Sequence, residues 1–295
     1  MAAAEYPLIK DKLFYCPNKD TYPPFKNGFY MEEYFFNYMK TNNKTHDSSG
    51  RRYIPALWTN FQIEPWFGHK KPYMQQTLNE FIKSNPCEAG YFTVVQYDDG
   101  PLLMLPSNTV VYGACSGTVP MPLIYQDVEN KLESFRTSRS CDKSIMCSFV
   151  GTDTHRVRSQ VLSKLSGDAK FVMNKTGGWN PVVNKNRQDE FINTTLKSRF
   201  ALGPRGYGRS SFRFFEIMQL GVIPVYVWDD IEWLPYKDVL DYGKFCISIN
   251  ITELDGLSTL LSNITDEQYA EMLKEMEKHK NYFTLDYMCE YICSK

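Results

Sequence analysis

Apolar and polar positions along this chain of 295 residues fall into two patterns. Short apolar runs read as buried strands: YIPALW (53–58), YFTVVQ (91–96), SIMCSFVG (144–151), DAKFVMN (168–174), RFAL (199–202), VIPVYVW (222–228) and KFCISI (244–249). Between them lie segments with apolar residues three and four apart, which predict helices at 72–85, 155–165, 186–198 and 266–283. From residue 144 onward strand and helix alternate regularly, which predicts an α/β fold with a parallel sheet covered on both faces. The polar stretch VENKLESFRTSRSCDK (128–143) reads as a surface helix or linker that divides the chain. The expected domains are 1–135, 136–280 and a final helix, 281–295, that returns to the first domain.

One stretch carries chemistry. In FALGPRGYGRSSFRFFEIMQLGVIPVYVWDDIEWLP (200–235), a strand leads into a glycine-rich loop, the loop into a helix ending at Gly221, and the helix into a second strand. That order places an anionic phosphate at a helix N-terminus. Gly203, Gly206 and Gly208 can take positive φ and let the backbone approach a ligand closely. Ser210 and Ser211 are natural N-cap residues. The first-turn N–H groups lack helical partners and carry the positive end of the helix dipole. Arg205, Arg209 and Arg213 add three cations. With the helix starting near Arg209, that residue, Arg213 and Glu216 would share one stripe, a diphosphate fitting the cations and a ribose the carboxylate. The plainer alternative is a solvated arginine face with a surface ion pair between Arg213 and Glu216.

A second cluster, THRVR (154–158), follows Gly151 at the end of the first strand of the C-terminal half. Open α/β sheets bind ligands there, so Arg156 and Arg158 could contact phosphate and His155 could hydrogen-bond the ligand. The segment Gly203–Ser210 also lies one residue from the P-loop pattern GxxxxGK[ST], which leaves a kinase or sulfotransferase as an alternative. Arg209 stands where the P-loop lysine would be, and the loop falls late in the chain.

PRGYGRSSFRFFEIMQLGVIPVYVWDDIEWLP resembles the C-terminal signature of the exostosin-like glycosyltransferases. KSIMCSFVGTDTHRVRSQVL (143–162), RRYIPALWTN (51–60) and YFTVVQYDDG (91–100) resemble further segments of that family. Within it the chain most resembles compact enzymes of large algal viruses (chloroviruses), which act on capsid glycans. The resemblance implies a GT-B architecture, two Rossmann-like domains facing a cleft. It also implies an inverting transferase that moves a sugar from a UDP-sugar to a glycan or glycoprotein hydroxyl. His155 and Arg158 match the family pattern better than Arg156. The viral branch points to UDP-xylose and a β linkage.

Inversion needs one base on the acceptor side and charge stabilisation on the leaving diphosphate. Asp98 and Asp99, at the end of YFTVVQ beside Gly100, are the first candidates for the base, and paired carboxylates raise one another's pKa. Their plainer role is an Asp-Gly turn. Glu64 is the reserve candidate and His69 a weaker one. The chain contains no D-x-D motif, the arginines can neutralise a diphosphate alone, and metal-independent transfer is expected. A non-catalytic glycan-binding module remains a third possibility.

Composition adds limits. With 33 basic and 34 acidic residues the formal net charge is −1, without the basic excess of a nucleic-acid binder. The 20 Tyr and 19 Phe could stack on sugars and bases, though most will be core. The eight cysteines form no C-x-x-C pair and the four histidines no zinc pattern. Sequons occur at Asn43, Asn174, Asn193, Asn250 and Asn263, and Asn250 falls in or beside a strand. No apolar run reaches the roughly 20 residues of a membrane span. The N-terminus MAAAEYPLIKDK lacks a signal-peptide pattern, so a cytoplasmic location and reduced cysteines are expected.

Overall fold

A computed structural model describes residues 4–17, 28–138, 142–178 and 185–295; Cys141 and part of the 128–143 segment lie outside the described residues. In chain order the principal elements are α1 (Met31–Thr41), β1 (Arg52–Tyr53), α2 (Trp58–Gln62), α3 (Phe67–Ser84), β2 (Tyr91–Val95), β3 (Thr109–Gly113) and β4 (Val119–Pro120). There follow α4 (Lys131–Ser138), β5 (Ile145–Thr152), α5 (Arg156–Leu165), β6 (Phe171–Thr176), α6 (Lys185–Leu196), β7 (Ser198–Leu202), α7 (Phe212–Gln219) and β8 (Ile223–Trp228). The chain closes with β9 (Ile247–Asn250), α8 (Leu257–Ser262), α9 (Asp266–His279) and α10 (Leu285–Cys293). The fold divides into two compact units, Met1–Gln126 with Thr284–Lys295, and Asp127–Phe283.

The first unit is built on a parallel sheet in the order β1-β2-β3-β4. Alternate residues of β2 serve opposite faces, as the pleat requires. Tyr91 and Val95 join a core with Trp58 and Phe61 of α2 and Met74 and Leu78 of α3. Phe92 turns the other way, its ring 6.1 Å from Phe35 of α1, and α10 packs on that helix. Only the first residue of YIPALW is in a strand. Ile54 N–H still bonds Phe92 O at 2.8 Å, but Pro55 has no N–H to extend the ladder, and Trp58 already opens α2. β3 and β4 were not expected; their runs are short and interrupted by glycine.

The second unit holds a five-stranded parallel sheet in the order β6-β5-β7-β8-β9. Residues 223–227 of β8 are all buried, which explains their unbroken apolar run. α5 packs on β6, α6 on β5 and β7, and α7 on β7 and β8; by the right-handed rule for such crossovers α5 covers the face opposite α6 and α7. β5 lies between β6 and β7, so the chain direction across the sheet reverses there. In an open α/β sheet the crevice beyond the C-terminal ends of the strands at such a switch point is where ligands bind. Here it receives the loops after β5 and β7.

The helix of the glycine-rich stretch starts later than expected. Ser211 is its N-cap, accepting from Arg213 N at 3.3 Å, so Arg209 and Ser210 precede α7 and only Arg213 and Glu216 lie on it. The expected three-residue stripe is therefore not formed. Its C-terminus matches the sequence: Gly221 adopts φ +73, with Gly221 N bonded to Met218 O at 2.9 Å and Val222 N to Ile217 O at 3.1 Å. Gly203 and Gly206 do not take positive φ. Gly203 is small for packing, since a Cβ there would lie 2.8 Å from Phe214 Cα.

Candidate functional site

The site in the second unit forms where the loops after β5 and β7 meet. Arg158, in the first turn of α5 and buried, clamps them together. Its Nε donates to Arg205 O (3.1 Å), Nη1 to Thr152 O (3.0 Å), and Nη2 to Pro204 O (3.3 Å) and Ser211 Oγ (3.1 Å). These bonds make Arg158 a residue that shapes the loop. Gly206 leaves room for it: a Cβ there would lie 3.3 Å from Nη2. Gly206 N in turn donates to Ser210 O at 3.3 Å, closing the loop tip.

His155 caps α5. Its Nδ1 accepts from Val157 N at 3.3 Å, which requires the ring proton on Nε2 and leaves that nitrogen as a neutral donor. Burial, with the nearby Arg205 charge, lowers its pKa; Asp229 opposes the shift without cancelling it. The ring is therefore uncharged at neutral pH.

The arginines differ in what holds them. Arg205 is buried, its Nη1 2.7 Å from both Asp229 Oδ1 and Asp230 Oδ1. Arg209 donates from Nε to Asp230 Oδ2 at 2.8 Å, with its guanidinium 5.7 Å from the Trp233 ring centre. Arg156 is exposed and reaches Asp229 Oδ2 at 2.8 Å. Burial works against ionisation of both aspartates, but it is outweighed at Asp229 by the contacts with Arg156 and Arg205 and at Asp230 by the Ile231 N–H with Arg209 and Arg205, so both pKa values lie below the usual range. Further along, Arg213 lies 3.6 Å from the Phe191 ring centre of α6 and pairs with the buried Glu216 at 2.6 Å. Ser210 and Ser211 are buried at the helix mouth.

Asp229 and Asp230 were not expected as site residues. The signal available was their position directly after β8, on the same edge as the two loops. Tyr207 was also missed. Between two glycines, with its carbonyl held by Arg205 Nη2 at 2.9 Å, it leaves its side chain 63% exposed. Among the described residues no group of histidines, cysteines and acids could hold a metal ion, and seven cysteines are free thiols.

The carboxylates expected to supply the base lie in the first unit. Asp98 and Asp99 are the central residues of a turn closed by Gly100 N to Tyr97 O at 3.0 Å, with Gly100 at φ +76. Asp98 is half-buried and Asp99 exposed. The buried Gln62 side chain grips this loop, Nε2 donating to Gly100 O (3.1 Å) and Oε1 accepting from Leu102 N (2.6 Å). Glu64 follows α2, not a strand, and is half-buried; His69 is exposed on α3. Sequence reasoning passed over Glu32. Its buried carboxylate accepts from Thr59 N (3.0 Å), Thr59 Oγ1 (2.7 Å) and Gln96 N (2.6 Å), capping α2 and fixing the exit of β2. Burial raises its pKa to about 7 despite those hydrogen bonds. Cys16 lies in the same region, its thiol raised to about 11 by burial and by Glu64 and Glu32.

Two parallel α/β units, one with a cationic helix mouth at its topological switch point, make up the GT-B type of fold. Residues 105–264, more than half the chain, match the exostosin GT47 domain, and the chain belongs to that family. It is 31% identical over 97 residues to a probable glycosyltransferase of Arabidopsis thaliana, covering 33% of this chain and 20% of the relative. A probable arabinosyltransferase of the same plant is 36% identical over 92 residues, 30% of this chain and 20% of the relative. A probable glucuronosyltransferase of Oryza sativa subsp. japonica is 30% identical over 124 residues, 42% of this chain and 26% of the relative. The matched stretch thus spans about a fifth to a quarter of each relative's length. Among the described residues no helix is long and apolar enough to cross a membrane.

Proposed function

We propose that this chain is an inverting glycosyltransferase that moves a sugar from a UDP-sugar to a hydroxyl of a glycan, without a metal. The observation that carries the reading is the convergence of neutral His155, Arg209 and the Ser211-capped helix on the β5/β7 switch point, beside Arg213 and Glu216. Family membership and relatives named for glycosyl transfer support it. The start of α7 at Phe212 counts against a P-loop, whose last two motif residues, here Arg209 and Ser210, would open the helix.

In the proposed reaction a carboxylate of the first unit, Asp98 or Asp99 with Glu64 in reserve, takes the proton of the acceptor hydroxyl. That oxygen bonds the sugar C1 from the face opposite the diphosphate. The C1–O bond breaks and its electron pair goes to the diphosphate. Arg209, Arg213 and the N–H groups of α7 stabilise that charge, and the His155 Nε2–H donates to the donor without carrying charge itself. Glu216 holds the ribose hydroxyls.

Isothermal titration should show UDP bound well above GDP and ATP, with Glu216→Ala weakening UDP by about 1–3 kcal/mol. Equal binding of the three nucleotides defeats the donor assignment. A UDP-release screen should begin with UDP-xylose, the donor suggested by the viral resemblance, and then UDP-arabinose and UDP-glucuronate. Turnover should survive chelation. Asp98→Asn, Asp99→Asn and Glu64→Gln identify the base by a loss of ~10²-fold or more in kcat; full turnover by all three overturns the assignment of the base to this edge.

A further inference from the structure

Five charged side chains form one network where β8 ends. Arg205 Nη1 bridges Asp229 and Asp230, at 2.7 Å from each. Arg156 closes on Asp229 Oδ2 through Nε (2.9 Å) and Nη2 (2.8 Å). Arg209 Nε closes on Asp230 Oδ2 at 2.8 Å, and Ile231 N on Asp230 Oδ1 at 2.7 Å. Three guanidiniums and two carboxylates leave a surplus of one positive charge. Arg205 is fully committed, since it also donates to the carbonyls of Gly206 (3.4 Å) and Tyr207 (2.9 Å). Arg209 enters the network through Nε, and its terminal nitrogens remain for an anion.

Two carboxylates are costly beside a site for an anion unless they serve the reaction. In a nucleotide sugar each phosphate of the diphosphate carries one negative charge. Breaking the C1–O bond turns the outer phosphate into a monoester, which gains further negative charge near neutral pH. A site charged to hold the free diphosphate best would retain its product, and product release limits many transferases and other enzymes.

We infer that Asp229 and Asp230 tune this site to the diphosphate diester of a sugar nucleotide and weaken its hold on the free nucleoside diphosphate, so that they determine specificity between donor and product. The inference rests on the UDP-sugar reading above. Asp230 is the better lever: its carboxylate is 39% exposed, and that of Asp229 is 5%. One unit of charge at ~6 Å, in an effective dielectric between that of a protein surface and that of water, changes affinity about tenfold.

The test is isothermal titration of UDP, UDP-xylose and inorganic pyrophosphate into the wild-type chain, Asp230→Asn and Asp229→Asn, at low and high salt. Asp230→Asn should bind UDP and pyrophosphate about tenfold more tightly, gain less for UDP-xylose, and lose the gain as salt rises. Asp229→Asn should change in the same direction. If both variants, folded by circular dichroism, bind pyrophosphate no better than the wild type, the carboxylates only position arginines and the inference fails. If no uridine nucleotide binds the wild type while Asp230→Asn still tightens pyrophosphate, the UDP-sugar reading fails and the charge role stands.

Discussion

The C-terminal edges of the two sheets treat carboxylates in opposite ways. In the second unit Asp229 and Asp230 are surrounded by guanidiniums and stay ionised below the usual carboxylate range. In the first unit Glu32 is buried, and burial raises its pKa to about 7 against the lowering by hydrogen bonds from Gln96, Thr59 and Tyr97. Each edge also uses one long side chain to set a loop: Arg158 holds carbonyls of 152, 204 and 205, and Gln62 holds Gly100 O and Leu102 N. One edge therefore holds its carboxylates ionised among fixed cations. The other holds a buried carboxyl group whose pKa burial lifts to about 7.

Removing the cation at the centre of the second unit should give the largest effect. Arg205→Met leaves the buried Asp229 paired with the exposed Arg156 and removes the donors to Gly206 O and Tyr207 O, and should lower unfolding stability by about 3–5 kcal/mol in a urea titration. A loss under about 1 kcal/mol would mean that Arg156 and Arg209 suffice to hold the two aspartates without Arg205.

Glu32 should give the next largest effect, with the opposite pH dependence to an ion-paired carboxylate. Its pKa is about 7 when folded, against a model value of 4.5. The folded state binds the proton more tightly, so this contribution is fully present below 4.5 and is lost as pH rises to 7. A 2.5-unit difference (7 − 4.5) corresponds to about 3 kcal/mol. The wild-type chain should therefore lose more stability than Glu32→Gln between pH 5 and pH 8. Parallel curves for the two proteins would remove the contrast between the edges.

The smallest expected change in stability is at the tip of the glycine-rich loop. Tyr207→Ala should leave unfolding within about 0.5 kcal/mol of wild type, because the side chain is 63% exposed. A loss of UDP affinity in that variant would add Tyr207 to the donor side; unchanged affinity would leave it outside.

Much of the second unit was legible in the chain. Gly221 supplied the left-handed residue that stops α7, and Ser211 the side chain that starts it. Each acts on backbone within a few residues. The apolar run of β8 signalled a strand buried on both faces. The start of α7 was placed too early, near Arg209, although both serines were natural caps; the Arg158 bond that holds Ser211 Oγ comes from 53 positions away. In the first unit α2 was read as the end of a strand. Its N-terminus is capped by Glu32, 27 positions earlier, and no local residue announces that bond.

The sequence by itself determined the βα alternation, the capped helix after a glycine-rich loop, and the cations gathered on this loop. All of these follow from periodicity, caps and turn residues, whose physics is local. Tertiary structure decided the strand order β6-β5-β7, which brings residues 152–158 against 203–211. It also decided which arginines hold the loop, which are tied to Asp229 and Asp230, and that Glu32 is enclosed by Thr59 and Gln96. Those outcomes depend on through-space distance and on burial, and neither the energy of a charge nor its partner is fixed by spacing along the chain.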